Sequence, residues 1–294
     1  MMKKFLSLIM ALSMVFALVA CGGNSGSANT GSPAPGVTDS STPEPSPSPE
    51  AEPVELIVFA AASMTETLTE IADLYKEVAP NVTLTYNFDS SGKLLTQISE
   101  GADCDVFISA AQKQMNALDS TKDGDANPDG LDFVLQGTRI NLLENKVALV
   151  VPDGNPAGIE SFADLTSDKL SLLAIGNSDV PVGQYTLEIL EYLGTSAEEL
   201  ESAGKITYGG NVKEVTSQVS EASADAGVVY ATDAFSANLT VVDTATSDMC
   251  KQVIYPAAVL NITQHEAEAQ AFLDYLQTDE AMSVFESVGF AAAK

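Results

Sequence analysis

Apolar and polar positions in this chain are arranged in blocks, and the blocks repeat. Leu56 to Ala61 is an unbroken apolar run, the pattern of a strand buried on both faces. Leu68, Ile71, Ala72, Tyr75 and Val78 then recur at helical period until Pro80 ends the segment, and Ser63-Met64-Thr65-Glu66 between them has the spacing of a capping box. The unit of strand, small polar turn and helix returns three times. Val82 to Phe88 alternates as a strand, Asp89-Ser90-Ser91-Gly92 is a turn, and Leu94, Leu95 and Ile98 open a helix. Leu170 to Ile175 reads as a strand, 176–183 as a loop with Pro181 suited to a first helical turn, and Tyr185 to Leu193 as a helix. Ile206 to Tyr208 leads through Gly209-Gly210 to Asn211, with Glu214 at capping-box spacing and Val212, Val215, Val219 and Ala222 on one face. A short buried strand, Ala226 to Tyr230, ends in a phenol.

Alternating strand and helix patterns of this kind predict an α/β architecture with largely parallel sheets. Ligands of open α/β sheets gather beyond the carboxyl ends of the strands, so the four junctions and Tyr230 can all face one crevice. A helix start offers unpaired N–H groups and a partial positive charge, and several together can hold an anion without a charged side chain. Each feature also has a plainer reading. Ser or Asn before a helix serves as a cap contributing about 1 kcal/mol, and a strand-end Tyr packs in a core with its hydroxyl at the rim.

Composition narrows the partners. The chain has 41 Asp and Glu against 13 Lys and Arg, a net charge of −28, which argues against nucleic acid and against an anionic membrane surface. An anionic ligand would have to be held by neutral donors against that field. His265 is the only histidine, it stands in the polar run ITQHEAEAQ, and Cys-x-x-Cys is absent. Zinc chemistry, a Ser-His-Asp triad and a Cys-His pair are therefore poorly supported. An exported hydrolase with Ser63 or Ser91 as nucleophile lacks an evident base. Cys104 and Cys250 are either a bridge, which an oxidising compartment would permit, or two separate thiols.

The N-terminus predicts export. Lys3 and Lys4 precede a mostly apolar stretch from Phe5 to Ala20, at about 16 residues too short for the roughly 20 of a spanning helix, so residues 1–20 read as a signal peptide. The run closes on Leu18-Val19-Ala20-Cys21, similar to a bacterial lipobox, which implies cleavage before Cys21 and a lipid on its sulfur; the other reading is an ordinary signal with an incidental cysteine. Residues 21–53, rich in Gly, Ser, Thr, Pro and Glu, cannot bury enough apolar surface to order and read as a linker. The rest, from Val54, is long enough for one large or two medium domains.

The stretches VFAAASMTETL, NFDSSGKLLTQI, ADCDVFISA, NSDVPVGQY, NVKEVTSQV, AGVVYATDA and YPAAV, in that order, resemble the motifs of the periplasmic molybdate-binding proteins of ABC transporters. The resemblance implies a periplasmic binding protein type II fold, two lobes joined by two crossing segments, which closes on a tetrahedral oxyanion. It implies no enzymatic activity and no cofactor: the ligand is molybdate or tungstate, with sulfate or another oxyanion as the alternative. Carried over motif by motif, it implies that Ser63 and Ser91 donate from hydroxyl and backbone N–H, Val182 and Val212 from backbone N–H, and Tyr230 from its hydroxyl. Val182 stands where alanine is more usual. The implied partner is a cognate ABC permease, and the implied state is an extracytoplasmic monomer held at the cell membrane by the lipid on Cys21. Lobe one is expected to hold residues 54–144 and 256–294, and lobe two 145–255.

Two further features are read as incidental. Lys93 follows Ser91-Gly92 in the first helical turn, where a cation opposes the dipole, so a solvated outward position is expected. The acidic stretch TKDGDANPDGLDFVLQG partly fits a calcium loop through Asp125, Asn127 and Asp129 but lacks the terminal Glu, and a surface turn is expected.

Overall fold

The computed structural model describes residues 52–294. The predicted signal peptide, Cys21 and nearly all of the linker lie outside the described residues. In chain order the elements are β1 (Val54–Ala61), α1 (Thr65–Val78), β2 (Val82–Asp89), α2 (Ser91–Ser99), β3 (Val106–Ile108), α3 (Gln112–Asn116), β4 (Ile140–Asn145) and β5 (Val147–Val151). They continue with β6 (Leu173–Gly176), α4 (Pro181–Tyr192), α5 (Ala197–Ser202), β7 (Ile206–Gly209), α6 (Val212–Ser220), β8 (Ala226–Tyr230), α7 (Ala231–Ser236) and β9 (Thr240–Thr244). Last come β10 (Val253–Val259), α8 (Glu266–Tyr275), α9 (Asp279–Ser287) and β11 (Ala291–Ala292). None of the described helices is long and apolar enough to cross a membrane.

The strands form two sheets, one per lobe. The first has the order β11-β4-β10-β3-β1-β2 and the second β7-β6-β8-β5-β9. The chain crosses from first to second at Lys146, between β4 and β5, and returns between β9 and β10, so two segments join the lobes. The first sheet takes β10 in from Val253 onward, through its pairing with Asn145 of β4.

Neither sheet is as parallel as the pattern of strands and helices predicts. Strands β1, β2 and β3 are parallel, as are β6, β7 and β8, but β10 runs antiparallel to β3 and β4, and β5 antiparallel to β8 and β9. The two antiparallel insertions are the strands that follow the crossings. Such a strand enters its sheet from the other lobe, and no crossover helix precedes it to set it parallel.

The core follows the apolar blocks. On one face of β1, Leu56, Val58 and Ala60 pack with Leu68, Ile71 and Tyr75 of α1; on the other, Phe59 packs with Leu94 and Ile98 of α2 and Phe107 of β3. A strand covered on both faces needs the continuous apolar run that Leu56 to Ala61 supplies. In the second lobe α6 lays Val215 and Val219 against β8, where Gly227 leaves room for them: a Cβ there would meet Val219 at 2.5 Å.

The remaining sequence features resolve simply. Cys104 is buried in lobe one and Cys250, partly exposed, lies by the return crossing; both are free thiols. His265 occupies the cap position of α8. In the acidic stretch the Asn127 side chain bonds the Leu131 N–H and carbonyl at 2.9 and 2.8 Å, which closes a turn.

Candidate functional site between the lobes

The strand-to-helix junctions converge as their order suggests, but their side chains act differently from simple caps. The 3₁₀ turn Ala62–Met64 precedes α1, so the cap of α1 is Met64, without a side-chain hydrogen bond. The capping box expected from Ser63 and Glu66 does not form. Ser63 lies inside a helical turn, its Oγ 2.9 Å from the Tyr255 hydroxyl, while the Glu66 carboxylate reaches Lys213 of the other lobe at 2.7 and 2.8 Å.

At the second junction the roles divide between two neighbours. Ser90 caps α2 by accepting the Lys93 N–H at 3.4 Å, which frees Ser91, the first helical residue. Ser91 is fully buried and its Oγ accepts the Ala110 N–H at 3.0 Å. That bond uses a lone pair and leaves the hydroxyl hydrogen to be donated.

In lobe two, α4 begins at Pro181, four residues earlier than the apolar period of 185–193 suggests, because proline is well suited to a first helical position. Val182 follows it, and its N–H is one of those that a helix start leaves without an intrahelical acceptor. At α6 the predicted cap holds: Asn211 accepts the Glu214 N–H at 3.1 Å and Val212 is the first helical residue. The Glu214 carboxylate turns back to the Gly210 N–H at 2.7 Å, one residue short of the reciprocal bond of a capping box.

Tyr230 ends β8 at 1 % exposure, and its hydroxyl, buried, has no hydrogen-bond partner among the described residues. Its ring meets that of Tyr255 edge-on, centroids 5.7 Å apart. Burial pushes both phenols well above their ordinary range, so both keep their protons and can donate.

One small cavity, about 10 Å³, lies among these groups, about the room of a single water-sized centre. Its walls are Ala61, Ala62, Ser63, Asp89, Ser90, Ser91 and Ala110 from lobe one, with Val180, Pro181, Val212 and Tyr230 from lobe two. Four of the five predicted residues thus line it. Val182, fully buried, does not; its neighbours Val180 and Pro181 do.

Contacts between the lobes flank the cavity. The Gly92 N–H donates to the Asp179 carbonyl at 2.9 Å, and Asn211 Nδ2 lies 3.5 Å from Asp89 Oδ1. Lys93 is not simply solvated, as its place in the first turn suggests: its Nζ is 3.2 Å from Asp89 Oδ1, so it offsets the one carboxylate in the cavity wall. Ser90, Asp89, Ala110 and Tyr255 are the participants that the strand-helix pattern misses. Asp89 and Ser90 sit inside the predicted turn and could have been taken with it. Tyr255 lies 192 residues from its partner Ser63, and nothing local marks that meeting.

Apart from the Asp89 carboxylate, which Lys93 offsets, this is chemically a set of hydrogen donors: two hydroxyls, a phenol and the amides of helix starts. Neither serine hydroxyl bonds a carboxylate or an imidazole among the described residues. The arrangement suits a small anion whose oxygens only accept.

Comparison with known proteins agrees with this architecture. A Bacillus subtilis protein, YvgL, provisionally named an ABC transporter substrate-binding lipoprotein, is 35% identical over 99% of this chain and 100% of its own. The molybdate-binding protein ModA of Escherichia coli is 34% identical over 82% of this chain and 90% of its own. Among solved structures, the periplasmic molybdate-binding protein of Azotobacter vinelandii superposes with a TM-score of 0.69 at 21% identity, covering 81% of this chain and all of the other, which speaks to the fold. The family described as bacterial extracellular solute-binding proteins matches residues 56–291, a span that takes in both sheets, both crossings and all five predicted donors, and this chain belongs to that family.

Proposed function

We propose that this protein captures molybdate or tungstate in the cleft between its lobes and delivers it to an ABC permease. In this reading Ser63 and Ser91 donate from hydroxyl and N–H, Val182 and Val212 from their N–H groups, and Tyr230 from its phenol. The observation that carries it is the Tyr230 hydroxyl: a buried donor without a partner, facing a small cavity rimmed by serine hydroxyls and helix starts. Leaving such a group unpaired costs about 1 to 3 kcal/mol, a cost that an incoming oxygen acceptor removes. The relatives named for molybdate support the choice of anion. The predicted lipid on Cys21 would hold a monomeric receptor at the outer face of the cell membrane, about 0.8 kcal/mol for each buried CH₂.

The donor set also bears on selectivity. An anion that keeps a proton at neutral pH brings an O–H for which the wall offers only the Asp89 carboxylate, already engaged by the Ser90 N–H and Lys93, whereas a bare dianion needs donors alone. Titration of the purified protein with molybdate, tungstate, sulfate and phosphate tests this. The first two should release heat and raise Tm by several degrees, about 2.7 kcal/mol at a hundredfold excess over Kd. Tyr230→Phe should lose about tenfold or more in affinity while the Tm of the ligand-free protein rises or at least does not fall, because the unpaired hydroxyl is gone. No response to molybdate or tungstate would overturn the reading.

A further inference from the structure

A chain of buried hydrogen bonds leads from the first lobe crossing to Ser63, and its direction can be worked out atom by atom. Asn145, the last residue of β4, accepts the Lys146 N–H on Oδ1 at 2.8 Å. That bond fixes which end of the amide is the nitrogen. Its two hydrogens go to Thr232 Oγ1 at 2.9 Å and to the Tyr255 hydroxyl at 3.2 Å.

Tyr255 is fully buried on β10. Having received a hydrogen from Asn145, its oxygen has one other partner among the described residues, Ser63 Oγ at 2.9 Å. The phenol is protonated, as burial requires, and a buried O–H is not left undonated without cost. The Tyr255 hydrogen therefore goes to Ser63. Ser63 accepts there, and its own hydrogen is released from Tyr255 and available to the cavity it lines.

We propose that Asn145 and Tyr255 are positioning residues for the oxyanion, holding the Ser63 hydroxyl as a hydrogen donor toward the cleft. This rests on the anion-binding reading above and deepens it. Asn145 bonds across the lobes, to Tyr255 in one and Thr232 in the other, so the orientation is set at the crossing that joins the lobes.

The substitution that reverses the chain is Asn145→Asp. A carboxylate of the same shape still accepts the Lys146 N–H, but it cannot donate. The Thr232 and Tyr255 hydroxyls must then turn to it, and Ser63 must donate to Tyr255, taking its hydrogen away from the anion. Affinity for molybdate, measured by calorimetry at pH 8.5 so that the new carboxyl is ionised, should fall about tenfold to a hundredfold, the loss of one charge-assisted hydrogen bond.

Charge repulsion alone would also weaken binding, and a second substitution separates the two causes. In Asn145→Asp/Tyr255→Phe the relay is cut, Ser63 is free to donate again, and the double variant should bind molybdate at least threefold more tightly than Asn145→Asp alone. Thermal melting of each ligand-free variant monitors the fold. Residues in contact need not have additive losses, so the deciding readout is that binding recovers while the ligand-free Tm does not, which a merely structural role would not produce. A double variant no tighter than Asn145→Asp overturns the proposal, whereas an unsubstituted protein that binds neither molybdate nor tungstate overturns the reading beneath it.

Discussion

Asp233 is fully buried; Lys213 Nζ makes an ion pair with it at 3.3 Å from Oδ1, and no other group among the described residues supports either carboxylate oxygen. Desolvation outweighs that attraction and pushes the group from its ordinary value of 3.8 up to about 6. The sign of the stability effect follows. Below about pH 4 the carboxyl is protonated in both folded and unfolded chains and costs nothing. Between there and about pH 6 the folded state keeps a proton that the unfolded chain has released, so stability falls as pH rises; above about 6 the full cost, on the order of 3 kcal/mol, is present. Asp233→Asn should therefore be more stable than the parent by up to about 3 kcal/mol in urea unfolding at pH 7.5 and gain nothing at pH 3.5. An equal gain at both values would remove desolvation of this carboxylate as the cause.

Among the elements, α2 most directly couples the lobes, because its second residue has no side chain. A Cβ on Gly92 would lie 2.4 Å from the Asp179 carbonyl oxygen and 2.7 Å from its Cα, backbone atoms that cannot swing aside. In an isolated helix Gly→Ala would stabilise by about 1 kcal/mol. Here it should separate the helix start from the opposite loop and break the Gly92–Asp179 bond. Gly92→Ala is thus expected to keep or raise the Tm of the ligand-free protein, lose at least tenfold in molybdate affinity, and show a larger radius of gyration with ligand in solution scattering. The helix starts behind this were legible in sequence because each follows an apolar run and carries its own polar turn, as at Asp89 to Gly92 and Gly209 to Asn211. Their partners were not. The Ser63–Glu66 spacing suggested a local cap, yet a 3₁₀ turn and two distant groups, Tyr255 and Lys213, claim those side chains instead. Strand β10 carries an apolar run, Val253 to Val259, but its antiparallel insertion and the placement of Tyr255 beside Ser63 arise only when the return crossing brings it home.

At the scale of the whole molecule two electrostatic effects act on a dianion with opposite responses to salt. The net charge of −28 repels it over long range, and salt screens that repulsion, so the association rate should rise between low and physiological ionic strength. Against this, the closed form is held in part by Lys213 of lobe two, which meets Glu66 of lobe one at 2.7 Å, and a partly exposed pair of this kind contributes at most about 1 kcal/mol and weakens with salt. In the proposed cycle closure follows capture, so the pair acts on escape of the ligand, whereas the net charge acts on its arrival. Glu66→Gln separates them: it alters the total charge by a single unit but removes the bond across the cleft, while Lys213 keeps Asp233 as its neighbour. Stopped-flow measurement should find the dissociation rate of molybdate raised about two- to fivefold at low salt, converging on the parent's in 1 M NaCl, with the salt dependence of association unchanged. A dissociation rate equal to the parent's at low salt would mean that the Glu66–Lys213 pair contributes nothing to holding the lobes closed, and the backbone bond at Gly92 and the ligand's own contacts would carry closure alone.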